Sequence, residues 1–119
     1  MNGQKGDKIM AIKYYKVPEK EATIAVLSGC KFDAVNKIVK MLTETELSVY
    51  VDKYIMPDTF RAVVRRHGDD VFDEKVGEYE AKKKLMEKYY KHFDEKMAMF
   101  KRDLERLTER VASSIKKVG

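Results

Sequence analysis

The arginines are the residues of this sequence whose placement could do chemistry. All six fall in two clusters, Arg61, Arg65 and Arg66 in the first and Arg102, Arg106 and Arg110 in the second. The second cluster advances in four-residue steps, so a helix would hold three like charges on one side, where they repel each other unless an anion lies nearby. Because the planar guanidinium suits phosphate, the clusters predict anion binding. The alternative is a solvated surface on which Asp103, Glu105 and Glu109 neutralise the arginines.

Tyrosine rings near these clusters could stack against a base, which contributes about 1–3 kcal/mol per base in single-strand binders. Tyr79 and Tyr89 lie on the same predicted helix as the second cluster, and Tyr89 falls beside the apolar seam of that helix. Tyr50 and Tyr54 lie on the polar face of a predicted strand and are available in the same way. We predict eight ligand-binding residues, with core packing as the alternative for the rings: Arg61, Arg65, Arg66, Tyr79, Tyr89, Arg102, Arg106 and Arg110.

Nucleophilic, metal and cofactor chemistry are not indicated. Cys30 lies between a predicted strand and helix, where a thiol pKa can be lowered, but no third catalytic partner accompanies it and His67. Two histidines and one cysteine are dispersed without the spacing of a zinc site. The turn Ser28-Gly29-Cys30-Lys31 lacks the second glycine and the Gly-Lys-Ser/Thr ending of a phosphate-binding loop. We therefore expect no catalytic residue, no metal, no cofactor and no enzymatic activity.

Composition limits the class of protein. The chain has 119 residues, of which 44% are apolar and 38% charged, with a net charge of +5. These values fit one domain, or one domain with an appended element, and they do not fit a disordered chain. No apolar run approaches the roughly 20 residues of a membrane span, and the first residues lack the apolar core of a signal peptide. With a single cysteine, the sequence predicts a cytoplasmic protein without a membrane partner.

Hydrophobic periodicity predicts a small α+β domain over residues 1–70. Strands are expected at 8–17, at 23–27 and at 60–65, the second apolar on both faces and the third with a basic outward face. A helix is expected at 33–42. Leu47, Val49, Val51 and Ile55 alternate with polar residues, which predicts one more strand. The expected fold is a four-stranded antiparallel sheet with one inserted helix, in the order ββαββ.

A heptad seam of apolar residues predicts a long, coiled-coil-like helix over residues 71–119. Its members are Phe72, Val76, Tyr79, Met86, Tyr90, Phe93, Met97, Phe100, Leu104, Leu107 and Val111, with one interruption where Lys83 takes a seam position. Straight, this helix would span about 70 Å at ~1.5 Å per residue, more than residues 1–70 could cover. We expect it to be a homo-oligomerisation element. Flanking charges favour parallel pairing, and packing against a partner's sheet is the alternative.

One segment resembles small proteins from phages and prophages of Gram-positive bacteria. It runs through Met56-Pro57-Asp58-Thr59-Phe60-Arg61-Ala62-Val63-Val64 and continues by Asp69-Asp70-Val71-Phe72-Asp73 to Gly77. In those proteins a strand closes with a Cys or His and an acidic turn, and Phe-Asp and a glycine then lead into a helix. Here Arg66-His67-Gly68 stands where a Cys-x-Pro is common.

The order of a small sheet, one inserted helix and a long C-terminal helix is also similar to the phage anti-Thoeris sponge family. Those proteins oligomerise and sequester cyclic nucleotide immune signals in pockets that use arginines and aromatics. The resemblance implies that Arg106 and Arg110, with Tyr79 or Tyr89, contribute to such a pocket. It also implies a phage-type anti-defence protein in the bacterial host cytoplasm, which binds itself and a cyclic nucleotide-type small molecule.

Two other functions stay open at this point. One is a protein inhibitor that docks on a host defence complex such as a CRISPR nuclease; the net charge of +5 argues against DNA mimicry but not against steric blocking. The other is direct nucleic-acid binding through the strand arginines, for which so small a basic excess is thin support.

Overall fold

The computed structural model describes residues 11–45, 49–65 and 74–118. Within them the chain forms three strands and two α-helices: β1 (Ile12–Val17), β2 (Ala22–Leu27), α1 (Asp33–Leu42), β3 (Phe60–Arg65) and α2 (Glu74–Val118). Single turns of 3-10 helix occupy Pro18–Lys20 and Asp52–Tyr54. The architecture is therefore a mixed α/β one, with an antiparallel sheet and a long C-terminal helix. The helix α1 covers the range that its apolar spacing predicts.

The three strands form one antiparallel sheet in the order β1-β2-β3. On one face of β2, Thr23, Ala25 and Leu27 are buried, and their partners on β3 include Ala62 and Phe60. On the other face Ile24 and Val26 are only partly buried. The prediction that this strand is central is confirmed, whereas burial on both faces is not: the described residues bury one face and leave the other half-exposed.

The strand predicted from Leu47 to Ile55 is wrong in the part that the structure describes. Asp52–Tyr54 forms a 3-10 turn, residues 49–59 contain no strand, and Leu47 lies outside the described residues. The reason is the placement of Tyr54, which alternation put on a polar face and which is only 1% exposed. Its ring packs edge-on against Phe100 at 5.7 Å, and burying so large a ring outweighs the β propensity of its neighbours.

The contacts divide the chain into two compact units. The first comprises residues 1–29 and 59–88, and the second comprises residues 30–58 and 89–119. The first therefore contains the whole sheet with the beginning of α2, and the second contains α1, the 3-10 turn at 52–54 and the rest of α2. The predicted sheet domain at 1–70 and oligomerisation helix at 71–119 are a different division of the chain. That residues 71–119 bind another copy of the chain stays a prediction.

The core of the second unit is built around α1 and the middle of α2. Val35 and Ile38 of α1 pack with Tyr54 and Phe100. Partly buried apolar residues of α1, of residues 49–55 and of α2 surround these four side chains. Two main-chain hydrogen bonds hold the intervening loop, from Cys30 N to Asp58 O at 2.9 Å and from Met56 N to Lys31 O at 2.9 Å. Backbone hydrogen bonds thus hold this loop, whose described residues form no strand.

The buried face of α2 coincides with the predicted seam only in part. In the first unit Ala81 and Leu85 are fully buried, whereas the seam residues Val76 and Tyr79 are 51% and 70% exposed. In the second unit the seam residue Tyr90 is 49% exposed. Phe72 lies outside the described residues. The seam residues Met97, Phe100 and Leu104 pack in the core of the second unit, whereas Val76, Tyr79, Tyr90 and Val111 are each about half exposed or more. No helix among the described residues is both long and apolar enough to cross a membrane.

At Gly77, α2 lies close against the sheet. A Cβ atom added there would lie 2.5 Å from Oγ1 of Thr23 and 3.3 Å from its Cβ. Thr23 is completely buried, and its hydroxyl has no hydrogen-bond partner among the described residues. The glycine therefore costs helix propensity and permits the approach of the helix to the sheet.

Gly77→Ala should lower the free energy of unfolding by about 1–3 kcal/mol, because overpacking against Thr23 outweighs the roughly 0.5–1 kcal/mol that alanine contributes to a helix. Thr23→Ala removes the clashing oxygen and should make Gly77→Ala neutral or stabilising, whereas the equally bulky Thr23→Val should not. Urea denaturation of the single and double variants measures this coupling. A stabilising Gly77→Ala in the unaltered chain would contradict the close approach.

Candidate anion-binding groove

A groove of about 880 Å³ lies in the first unit, along β3. We call it the basic groove. Strand residues supply an apolar floor, and charged residues of β3, of the turn at 18–20 and of α2 form its walls. The lining residues are Val17, Lys20, Ala22, Ile24, Arg61, Val63, Val64, Arg65, Tyr79, Glu80, Lys83, Lys84 and Glu87.

The pleat of β3 positions the two arginines of the groove. Arg61 and Arg65 occupy alternate positions of the strand with Val63 between them, so all three side chains share the half-exposed face of the sheet. On that face Arg61 is paired with Val26, and Arg65 with Ala22. The Cα atoms of the two arginines are about 13 Å apart at the rise of a strand. Their long side chains can therefore reach one ligand from two sides.

The beginning of α2 is held along the outer edge of β3 by two lysines. Lys84 Nζ donates to the carbonyl oxygen of Val63 at 3.2 Å, and Lys88 Nζ donates to that of Arg61 at 2.8 Å. Charged donors of this kind satisfy the edge of a sheet, which would otherwise invite another strand. Tyr79 and Lys83 are four residues apart on α2, share one side of the helix and line the basic groove. The lysine contacts thus place this side beside β3.

The electrostatics of the basic groove favour an anion. Five basic and two acidic side chains line it. Arg61, Arg65 and Lys83 are exposed and form no ion pair with any described residue. Unpaired guanidinium groups retain their planar donors for a phosphate or carboxylate. The ring of Tyr79 is 70% exposed, which leaves a flat aromatic face beside these cations.

The structure brings together three of the eight predicted site residues, Arg61, Arg65 and Tyr79. Arg66 lies outside the described residues. The second arginine cluster belongs to the second unit, where Arg106 and Arg110 line two hollows of their own and Arg102 is exposed and lines neither. The grouping of Tyr79 with Arg106 and Arg110 in one pocket stays a prediction.

Tyr89 is placed differently from the expectation. It is only 3% exposed, its hydroxyl donates to Asp33 Oδ2 at 2.8 Å, and its ring stacks on Phe93 at 6.0 Å. The ring therefore belongs to the packed interior of the second unit and offers no face to a ligand. Tyr54, which was predicted to be available for binding, is also buried: its ring packs against Phe100 and its hydroxyl donates to Asp103.

Sequence reasoning missed the lysines of the basic groove. Lys83 carried a signal, because it interrupts the apolar seam of α2, and a charged residue at a core position suggests that the position is not in a core. Lys20 and Lys84 carried none, since a lysine in a turn or on a helix surface is ordinary. The groove depends on strand pairing and on the approach of α2, which spacing alone does not encode.

The other candidate chemistries receive no support from the described residues. Cys30 is fully buried, and His67 lies outside the described ranges. Residues 11–45, 49–65 and 74–118 contain no group of three histidine, cysteine or acidic side chains that could hold a metal ion.

Asp103 links α2 to the 3-10 turn of the second unit. It accepts hydrogen bonds from the hydroxyl of Tyr54 and from Lys53 Nζ, the latter at 3.0 Å. The hydrogen bond from Tyr54 and that from Lys53 hold the pKa of Asp103 below its usual value. Burial, followed by the hydrogen bond to this carboxylate, raises the pKa of Tyr54 above the usual value for tyrosine. The pair is therefore strongest with a charged Asp103 and a protonated Tyr54.

Comparison with protein-family models, with characterised proteins and with solved structures gives no match to this chain. Membership of the sponge family stays a prediction that rests on the order of the elements.

Tyr54→Phe should cost about 1–3 kcal/mol of unfolding free energy, the usual loss for a buried hydrogen bond to a charged group. Because the pKa of Asp103 is lowered in the folded protein, its stabilising contribution is present above about pH 4 and is lost as the pH falls through the folded pKa. Because the pKa of Tyr54 is raised, the contribution of its hydroxyl is lost as the pH rises above about 10. The difference between the two proteins should therefore shrink at both extremes. Urea denaturation from pH 2 to 11 measures it.

Tyr50→Phe is the matched control, since this tyrosine of the same unit is 76% exposed. It should change the unfolding free energy by less than about 0.5 kcal/mol. A Tyr54→Phe cost that did not vary with pH would contradict the role of charged Asp103.

Proposed function

We propose that this protein binds a phosphate-bearing nucleotide in the basic groove and sequesters it without converting it. The observation that carries the proposal is the juxtaposition of Arg61, Arg65 and Lys83, none paired with a described residue, with the exposed ring of Tyr79. A cation cluster beside a flat aromatic face complements both parts of a nucleotide. The apolar floor would exclude water beneath the base.

The two arginines would hold the phosphate and Tyr79 the base. Charge-assisted guanidinium–phosphate hydrogen bonds are roughly twice as strong as neutral ones and can be bidentate. Stacking on one aromatic ring adds about 1–3 kcal/mol. Glu80 and Glu87 line the same groove and would repel a second phosphate placed against them, which would orient the ligand.

Sequestration rather than catalysis fits the chemistry of the lining. The described residues that line the basic groove include no histidine, cysteine, serine or aspartate. The groups that remain are cations, two glutamates and a tyrosine, which can bind and orient an anion. The resemblance to phage sponges suggests that the captured molecule is a cyclic nucleotide immune signal and that the protein acts against a host defence.

A second candidate function, binding of single-stranded nucleic acid, is favoured by the half-exposed face of the sheet. Tyr15 is 51% exposed and lies opposite Ile24 on this face, beside Lys13. Arg61 and Arg65 occupy the same face on β3. A strand of nucleic acid could stack on Tyr15 and continue to the arginines. Docking on a host protein has no comparable support here.

We further propose that a second copy of the chain covers the exposed seam of α2. Val76, Tyr79, Tyr90 and Val111 are each about half exposed or more, which is costly for apolar side chains at regular heptad spacing. Tyr79 belongs to both the seam and the basic groove, so the ligand would bind next to this interface. Analytical ultracentrifugation at micromolar concentration should give more than one copy per particle, and a folded monomer would contradict the proposal.

Replacing Arg61 and Arg65 with alanine should abolish nucleotide binding in the basic groove of the full chain. The probes are cyclic mononucleotides, cyclic dinucleotides and linear mononucleotides, screened by thermal shift and followed by calorimetry. Tyr79→Ala should weaken binding about 5- to 150-fold, the equivalent of the lost stacking, and Tyr79→Phe should retain it because the ring remains. Lys83→Ala should weaken binding, whereas Lys82→Ala, an exposed neighbour outside the lining, should not.

Two results would overturn this function. One is undiminished binding to the Arg61→Ala, Arg65→Ala double variant. The other is the same affinity for Tyr79→Ala and Tyr79→Phe, which would remove the aromatic part of the site. Tight binding of oligonucleotides with a steep salt dependence and sensitivity to Tyr15→Ala would instead favour the nucleic-acid function.

A further inference from the structure

We propose a second anion-binding site, on the second unit, that takes the phosphate of a nucleoside monophosphate or of a phosphorylated oligonucleotide end. It lies in a hollow of about 270 Å³ whose lining includes Val49, Tyr50, Lys53, Arg106, Leu107 and Arg110. We call it the tyrosine hollow. The inference does not rest on the function proposed for the basic groove, since the two sites share no residue.

Arg106 and Arg110 are the phosphate ligands of this site. They lie one helical turn apart on α2 and line both the tyrosine hollow and a neighbouring one of about 530 Å³ with Glu109, Ser113 and Ser114. Like charges at this spacing repel each other, and an anion between them relieves the repulsion. The serine hydroxyls next to the arginines are further donors to phosphate oxygens.

The acidic residue of the hollow is already engaged. Asp103 Oδ2 accepts from the Tyr54 hydroxyl and from Lys53 Nζ, whereas Arg106 Nη1 is 3.8 Å from Asp103 Oδ1. That distance is too long for a hydrogen bond. Arg110 forms no ion pair with any described residue. The carboxylate therefore serves the core of the unit, and the two guanidinium groups keep donors for a ligand.

Tyr50 provides the aromatic part of the site. Its ring is 76% exposed, although it lines the same hollow as the arginines. A hydrogen bond with the side chain of Asp52 and the charge of that carboxylate raise the pKa of the Tyr50 hydroxyl above its usual value. The negative charge of Asp52 also disfavours a phosphate at this end of the hollow. A ligand would therefore place its base on Tyr50 and its phosphate against Arg106 and Arg110.

Nuclear magnetic resonance of the full chain tests the site, with adenosine 5′-monophosphate, adenosine and inorganic phosphate as probes. The monophosphate should give saturable shifts at the side-chain Nε–H groups of Arg106 and Arg110 and at the Tyr50 amide. Arg106→Ala or Arg110→Ala should weaken binding at least about tenfold, equivalent to about 1.4 kcal/mol. Tyr50→Ala should weaken it, and Tyr50→Phe should not. Oligonucleotides with a 5′-phosphate or a 5′-hydroxyl distinguish a free nucleotide from a nucleic-acid end.

Arg102→Ala is the matched control, because it removes one exposed arginine of the same helix that lines neither hollow. It should leave the affinity unchanged, as should Arg61→Ala, Arg65→Ala in the basic groove. An equal loss in Arg102→Ala and Arg110→Ala would show attraction to net charge only and would overturn the site. Loss of these shifts in the basic-groove double variant alone would overturn it too.

Discussion

The close packing of α2 on the buried face of the sheet is the constraint on which the basic groove depends. Gly77 permits the helix to approach Thr23, and the fully buried Ala81 and Leu85 continue the same side of the helix. Because the residues around a helix have fixed angular positions, the side that is buried against the sheet determines which other residues of α2 lie next to β3. Those residues include Tyr79, Lys83 and Lys84. The residues that line the groove are thus determined by the packing of Gly77, Ala81 and Leu85 against the sheet.

Two tyrosine–carboxylate pairs have the corresponding role in the second unit. Tyr89 donates to Asp33 at the beginning of α1, and Tyr54 donates to Asp103 on α2. Each pair places a buried ring and satisfies its hydroxyl with a charged acceptor, which is a stronger bond than one between neutral groups. Arg106 and Arg110 follow Asp103 on α2 and are exposed, with Arg106 Nη1 at 3.8 Å from Asp103 Oδ1. Packing in this unit therefore also prepares a basic surface.

Hydrophobic periodicity predicted the elements whose packing is local and regular. The range of α1, the central position of β2 and the long helix α2 all followed from spacing. Periodicity mispredicted residues 49–55, where the burial of one large side chain determines the backbone conformation. Alternation from Val49 to Ile55 resembled a strand, but Tyr54 is buried by tertiary contacts with Phe100 and Asp103, and such contacts override local preference.

The site was predictable in its residue types but not in its grouping. Clustering along the chain identified Arg61 and Arg65, and Tyr79 was found from its ring alone. Tyr89 was misjudged, because a tyrosine beside an apolar seam can be buried when its hydroxyl finds a carboxylate. The sequence alone could not predict that the two arginine clusters belong to different units. That separation depends on where the contacts along α2 change from the sheet to α1.

Hydrogen–deuterium exchange of the full chain, with and without the nucleotide that raises its melting temperature most, tests the central claim most directly. We expect the bound nucleotide to slow exchange in peptides covering residues 60–65 and 76–88, where β3 and α2 form the basic groove. Slowed exchange confined to peptides outside these two ranges would contradict the account.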